Sequence, residues 1–237
     1  MGAGRPDNGD MAETDEWIRD GGRVCLDFLN TLRDRWDVPR ETLAEPGDLL
    51  RWLRGAGLLA PDAPGTALPP DPGTAPHPGP DSAPHPGPDS GPDSGPDSGP
   101  DALLRSARLL REAIDRAVLG AAAGRLPGRA DVELINEAVA AAPRPVLRLV
   151  IVDGRLAAGT ADGVAADVAG ALGLVARDAA ELLLSPEVRR VRVCGSERCA
   201  LRFVDRSQAG NRRWCSMTRC GNRTKVRRHQ LRARPTA

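Results

Sequence analysis

The chain has 237 residues, of which 41% are hydrophobic and 27% charged, with a formal net charge of +1 and only six aromatic residues (four Trp, two Phe, no Tyr). This composition allows one or two modest globular domains with a core of Leu, Val, Ala and Ile. The sequence shows no signal peptide and no run of about eighteen apolar residues, which argues against secretion and a membrane span, so we expect a cytoplasmic protein.

The N-terminal part of the chain changes character at Trp17. Residues 1–16 are polar and are expected to form a disordered tail. The following apolar residues recur at helical spacing and predict a first helix: Val24, Phe28, Leu29 and Leu32. Three polar residues on or near the flank of its apolar face form a candidate ligand pocket: Asp27, Asn30 and Thr31. The alternative is that they cap helix ends and hydrogen-bond there.

A second helix and a low-complexity segment follow. The helix is predicted from Gly47 to Ala56, with Leu49, Leu50 and Leu53 facing inward. Residues 61–100 are then dominated by Gly, Pro, Asp and Ser, with APHPGPDS occurring twice in tandem. Because such a segment has almost no apolar surface to bury, we predict a disordered insertion within one domain.

The remainder of the body, up to residue 186, alternates helices with one hairpin. A long amphipathic helix is predicted to end near Gly124, and Asp131 is predicted to cap the next helix. The segments VLRLVIV and RLAAGT flank Asp153-Gly154, which predicts a β-hairpin. A further helix after Gly163 is closed by Ser185-Pro186. The predicted fold class is therefore mainly α with a small β-hairpin (α+β).

No catalytic constellation emerges from this body. It contains no Gly-rich phosphate loop, and outside the insertion it has no histidine that could complete a Ser-His-Asp set. We therefore expect that the protein is not an enzyme.

Four of the five cysteines form two Cys-x4-Cys pairs near the C-terminus. The pairs are Cys194 with Cys199 and Cys215 with Cys220. Thiolates presented in pairs suit a tetrahedral Zn²⁺, and in a chain without a secretory signal they favour one structural zinc ion over two disulfides. Gly195 and Gly221 each follow a cysteine, where a turn around a metal often needs a positive φ.

Charge is distributed very unevenly along the chain. From Arg189 onward there are fourteen Arg and one Lys against Glu197 and Asp205, a net charge of +13, so residues 1–188 carry −12. A field this large on a small module favours a polyanionic partner over the alternative of a merely solvated charged face.

The predicted fold of this module is a small four-cysteine zinc finger with a treble-clef-like arrangement. Residues 200–204 are predicted to pair with 211–214 as a hairpin, followed by a helix over about 222–232. Phe203 and Trp214 are expected to cover the metal, and Val226 is expected to face inward.

The same residues carry a resemblance to a known family. The run RWCSMTRCGNRTKVRRH, with the first cysteine pair and FVDRS upstream, resembles the CGNR zinc finger of bacterial proteins. CLDFLNT, LLRWLRGAGLL and AAELLLSP resemble the ABATE domain that precedes this finger. The resemblance implies an ABATE-like helical domain over residues 17–186 and a CGNR-type finger over 187–234. It also implies a stress-induced transcription regulator whose finger binds DNA, with the four cysteines as zinc ligands.

The predicted DNA-binding residues come from two parts of the finger. Arg212 and Arg213 would project from the hairpin, and the helix would present the others: Arg223, Lys225, Arg227, Arg228 and Arg232. Most of these contacts are expected to reach phosphates, and the DNA-bound protein is expected to associate with the nucleoid. The N-terminal domain would sense a signal or oligomerise. Two alternatives remain: an RNA- or acidic-protein-interaction module, and a small-molecule-binding N-terminal domain.

Overall fold

The computed structural model describes residues 17–60, 99–144, 147–152, 154–160, 164–197 and 199–226. The predicted disordered tail and all but the last two residues of the predicted insertion lie outside these ranges. The elements are α1 (Val24–Leu29), β1 (Leu32–Arg33), β2 (Arg40–Glu41), α2 (Pro46–Gly55), α3 (Pro100–Ala122), α4 (Arg129–Ala140), β3 (Leu147–Val152), β4 (Arg155–Thr160), α5 (Val168–Leu184), a 3-10 turn (Pro186–Arg190), β5 (Val191–Val193), β6 (Arg202–Val204) and a π-helical turn (Met217–Gly221).

These elements form two compact units. Of the described residues, one unit combines those from 17 to 42 with those from 190 to 226, and the other comprises those from 43 to 189. The first is the cysteine unit and the second the helical unit. The predicted domain boundary near residue 186 falls close to the second junction, but residues 17–42 lie in the same unit as the cysteine pairs.

Long amphipathic helices build the helical unit. The apolar stripe expected for α3 is buried over most of its length, including Leu104, Leu110 and Ile114, because residues three and four apart share one face of a helix. Leu103, at its start, is 39% exposed. Helix α5 packs on both α3 and α4. A Cβ on Gly173 would lie 2.5 Å from the backbone nitrogen of Ala142, so glycine permits a very close approach there. No helix among the described residues has the length and apolar character of a membrane span.

Helix α2 begins and ends within a residue of its predicted bounds. Glu45 and Asp48 form a capping box at its N-terminus, with Pro46 in the first turn. Leu49 and Leu53 are buried as predicted, whereas Leu50 is only half-buried. Trp52, which the leucine pattern did not include, takes the inward position.

The prediction that Asp131 caps α4 is wrong. The helix begins at Arg129 after Gly128, and the carboxylate of Asp131 instead accepts hydrogen bonds from the guanidinium of Arg116 on α3, at 3.1 Å from Nε and 2.5 Å from Nη2. Asp131 is the third residue of the helix and so does not occupy the N-cap position, and its carboxylate bonds to α3 instead.

The predicted hairpin is confirmed. Strands β3 and β4 are antiparallel, with Val152 opposite Arg155 around Gly154, whose φ is +73°. Helix α5 starts four residues later than the apolar pattern suggested, at Val168, because the side chain of Asp167 accepts a hydrogen bond from the Gly170 amide at 2.7 Å and caps it.

The cysteine unit is built from much shorter elements. Helix α1 ends at Leu29, so the predicted continuation to Leu32 is wrong, and Leu32 instead pairs with Glu41 in the β1–β2 hairpin. Strand β6 pairs with β5, not with residues 211–214, so the predicted hairpin partner is also wrong. The fold class, mainly α with small hairpins and a small zinc finger, is confirmed.

Candidate metal centre

The first cysteine pair lies in the loop that joins β5 to β6. The amide of Cys194 donates to the Leu201 carbonyl at 2.9 Å, and the amide of Cys199 donates to the Ser196 carbonyl at 3.0 Å. These bonds fold the loop back on itself. Both thiols therefore point to the same side of a rigid hairpin end.

The second pair brackets the start of a helical turn. Ser216 follows Cys215 and caps the turn Met217–Gly221, which carries Cys220. The amide of Gly195 donates to the Arg213 carbonyl at 2.8 Å and ties the two cysteine loops together. The helical conformation starts five residues earlier than predicted and continues through residue 226.

The four thiols form one buried cluster. Their Sγ atoms all lie within 4.8 Å of one another. The separation is 3.7 Å between Cys199 and Cys215 and 3.6 Å between Cys215 and Cys220. A tetrahedron with Zn–S bonds of about 2.3 Å places its sulfurs about 3.8 Å apart, whereas a disulfide needs about 2.05 Å. All four cysteines are free, so the disulfide alternative is wrong and the residues fit one zinc ion.

The electrostatics of the cluster also call for a cation. Hydrogen bonds with the Cys199 and Cys215 thiols lower the pKa of Cys194 to about 2. Hydrogen bonds with Cys194 and Cys199, followed by burial, raise the pKa of the Cys215 thiol far above its usual range. Deprotonation is therefore favoured at Cys194 and disfavoured at Cys215. A divalent cation removes this conflict, since it holds coordinated thiols in the deprotonated form.

Few apolar residues surround the cysteines. Leu201 and Phe203 are buried with them, and Ile18 and Trp214 pack against the cluster, which confirms the predicted cover by Phe203 and Trp214. Val226 is 56% exposed, so its predicted inward position is wrong. Sulfur atoms thus make up much of this small core.

The two glycines that follow cysteines do not adopt a positive φ, contrary to the prediction. Instead, a Cβ atom at either position would lie close to neighbouring atoms. A Cβ on Gly195 would lie 3.3 Å from the Arg213 carbonyl oxygen, and one on Gly221 would lie 2.7 Å from the sulfur of Met217. Close packing between the two cysteine loops therefore favours glycine at position 195, whereas at position 221 the close contact is with the flexible end of Met217 in the same helical turn.

Asp205 organises the loop between the cysteine pairs, a structural role that was not predicted from the sequence. Its Oδ1 accepts from the Ser207 amide at 2.9 Å and from the Ser207 hydroxyl, and its Oδ2 accepts from the Arg212 amide at 2.9 Å. These hydrogen bonds, that from the Ser207 hydroxyl first, lower the pKa of Asp205. The Asp-x-Ser pattern typical of Asx turns was the available signal. Residues 211–214 do not pair with β6, and the Arg213 carbonyl accepts from the Gly195 amide of the first cysteine loop instead.

The predicted DNA-binding residues are not equivalent. The guanidinium of Arg212 donates to the carbonyls of Trp214 and Cys215 and lies 4.9 Å from the ring centroid of Phe203, so Arg212 braces the second cysteine loop. Arg213, Arg223 and Lys225 are exposed. The other three lie outside the described residues: Arg227, Arg228 and Arg232.

The three residues of the candidate ligand pocket are engaged within the fold. Asn30 is 3% exposed, and its side chain accepts from the Arg202 amide at 2.8 Å and donates to the Arg202 carbonyl at 3.0 Å. Thr31 donates to the Phe28 carbonyl, and Asp27 accepts from the Gly21 amide. Asn30 thus joins the end of α1 to β6, and Thr31 and Asp27 form hydrogen bonds with the chain within and next to α1.

Two family models match the chain. The ABATE model, described as "Putative stress-induced transcription regulator", matches residues 22–186, and the model described as "CGNR zinc finger" matches residues 190–233. No curated protein matches the chain. The two models meet close to the start of β5, and the second spans all four thiols of the cluster.

Proposed function

Because the chain belongs to the ABATE family and carries a CGNR zinc finger, we propose that it is a DNA-binding transcriptional regulator. In this proposal the zinc-bound finger contacts the phosphate backbone. The N-terminal domain senses a signal or oligomerises, and the protein has no catalytic role. It would act in the cytoplasm, at the nucleoid.

The observation that carries the proposal is the placement of exposed cationic side chains on segments fixed by the zinc ligands. Arg213 directly precedes the loop of Cys215, and its guanidinium lies 5.7 Å from the ring centroid of Trp214. Arg223 and Lys225 lie on the helical segment 222–226, directly after Cys220. A metal that fixes both loops therefore fixes the positions of these charges relative to one another.

Fixed positive charges favour a regular polyanion. The chain from Arg189 onward carries +13, and four thiolates with one Zn²⁺ reduce this to about +11. Such a surface displaces condensed counterions from DNA, and this release supplies most of the sequence-independent affinity. Arginine forks can also bind phosphate in a bidentate manner or read guanine in the major groove.

The proposal is tested by a salt titration of duplex DNA binding with the zinc-loaded full chain. Five or six phosphate contacts predict a slope of log K against log salt concentration of about −4 to −6. The double substitution Arg223→Ala and Lys225→Ala should weaken binding and make the slope less steep by about two.

A matched control removes two exposed arginines of the helical unit, Arg105→Ala and Arg125→Ala, and should leave the slope unchanged. A zinc-loaded protein that does not bind duplex DNA at low salt contradicts the proposal. Preference for structured RNA or for an acidic protein over duplex DNA in competition would instead favour an interaction module of those classes.

A further inference from the structure

A cavity of about 400 Å³ lies in the cysteine unit, beside the metal centre. One wall is the β1–β2 hairpin and its turn, and another is the helical turn that carries Cys220. Cys199 and Cys220 both reach its lining, so the cavity adjoins two zinc ligands. Its volume falls within the range of roughly 300–1,000 Å³ that is usual for small-molecule sites.

An exposed but anchored tryptophan lines this cavity. Trp36, in the turn between β1 and β2, is 58% exposed. Its indole Nε1 nevertheless donates a hydrogen bond to the Cys199 carbonyl at 2.9 Å. The ring is therefore held at one edge by the loop between β5 and β6, while more than half of its surface is exposed to solvent. A fixed, accessible indole is a stacking platform for a planar ring such as a nucleobase.

The charged lining of the cavity is mainly positive. Four arginines line it, against two aspartates of the hairpin: Arg33, Arg40, Arg219 and Arg223 against Asp34 and Asp37. Arg219 is also paired with Asp20, so part of its charge is already balanced. Arginine clusters suit phosphate oxygens, and carboxylates can accept from sugar hydroxyls or exocyclic amines.

We propose that this cavity binds one nucleotide unit, with the base stacked on Trp36 and the phosphate held by the arginines. The nucleotide could be a free ligand or an unpaired nucleotide of a DNA strand. In the second case the site rests on the proposed function and extends it, because it adds base contacts to a phosphate-binding finger. A free nucleotide does not depend on DNA binding.

The test uses the zinc-loaded full chain and two pairs of probes. Calorimetric titration with AMP and with adenosine separates phosphate from base recognition. Binding of a single-stranded oligonucleotide and of an abasic strand of equal length separates base stacking from backbone charge. Trp36→Ala should weaken the base-dependent binding about tenfold, as expected for the loss of one stacked base. Trp36→Phe should largely preserve it.

Controls keep the outcome interpretable. Leu109→Ala, at a 62% exposed site on α3, should change nothing, and the zinc content of each variant reports whether the finger is intact. Should Trp36→Ala lose zinc, Arg223→Ala replaces it and should reduce the preference for AMP over adenosine.

The outcomes separate the two sources of nucleotide. Trp36-dependent binding of AMP supports a free ligand. Trp36-dependent preference for the base-bearing strand, without AMP binding, supports an unpaired nucleotide. Equal affinity for base-bearing and abasic strands, with no AMP binding, overturns the inference even if duplex binding persists. Loss of duplex binding with retained AMP binding would instead contradict only the proposed function.

Discussion

The two compact units of this chain are held together in different ways. The helical unit buries long apolar stripes of α3 and α5, whereas the cysteine unit has strands of two or three residues and a six-residue α1. Among the described residues, the buried cluster around its metal centre consists of the four cysteines with Leu201 and Phe203. Helix α1 of the same unit buries Leu26, Phe28 and Leu29, but the segments that carry the four thiols bury too little apolar surface to hold their own conformation alone. A coordinated zinc ion can supply the missing stability, because its binding free energy becomes folding free energy.

The largest difference between the units is expected when a zinc ligand is removed. Cys215→Ser should abolish zinc binding and unfold the finger, because structural zinc contributes about 10–16 kcal/mol of apparent binding free energy in comparable small domains. Metal analysis and thermal unfolding check this. Cys25→Ala is the matched control, since Cys25 is also fully buried but lies outside the cluster. The Cys25→Ala variant should keep one zinc per chain. Equal zinc content in the Cys215→Ser and Cys25→Ala variants would show that Cys215 is not a zinc ligand.

Within the cysteine unit, the next largest effect should come from Asn30. Asn30→Ala removes both hydrogen bonds to the backbone of Arg202 and leaves a buried donor and a buried acceptor without this partner. The expected cost is about 2–4 kcal/mol in the free energy of unfolding, measured by urea denaturation of the zinc-loaded protein. Asn136→Ala, at an exposed position of α4, should stay within about 0.5 kcal/mol. A similar result at both positions would show that Asn30 does not join α1 to β6.

In the helical unit, the close packing at Gly173 can be tested by its effect on the free energy of unfolding. Gly173→Ala would place a methyl group 2.5 Å from the Ala142 amide nitrogen, so α4 and α5 must separate and stability should fall by about 1–3 kcal/mol. Gly120→Ala, in α3, meets its nearest contact at 3.9 Å. That variant should gain about 0.5–1 kcal/mol from helix propensity. Thermal unfolding should show a loss of stability for Gly173→Ala and a gain for Gly120→Ala. A gain of stability in both variants would contradict the close approach of the helices.

The smallest effect is expected at the surface ion pair of the helical unit. Arg116 and Asp131 lie 2.5 Å apart, but the Arg116 side chain is 61% exposed. Arg116→Ala should therefore cost only about 0.2–1 kcal/mol, with less effect at high salt. Chemical denaturation at two salt concentrations measures this, and a loss as large as that of Asn30→Ala would show that polar contacts at the surface matter as much as buried ones.

The elements that could be predicted from the sequence are those with long, regular patterns. The three-four spacing in α3 and the Asp-Gly turn between β3 and β4 are local signals, and both elements were predicted close to their observed bounds. The zinc ligands were likewise predictable, because two cysteines at short spacing can bind the same tetrahedral zinc ion.

Pairings that depend on distant residues could not be predicted in this way. The sequence predicted the wrong partner for β6 because strands of three residues carry almost no pattern, and its observed partner is β5. Asn30 and Trp36 contact residues more than 160 positions away. No local spacing reveals such contacts. The contacts of Asn30 and Trp36 near the metal site could therefore be found only from the structure.

Hydrogen exchange with peptide-level resolution, before and after zinc is removed by a chelator, tests the central claim most directly. If a metal ion takes the place of an apolar core, β5, β6 and the turn at Cys220 should lose their protection, while α3 and α5 keep theirs. Unchanged protection of the cysteine unit in the metal-free protein would contradict the account.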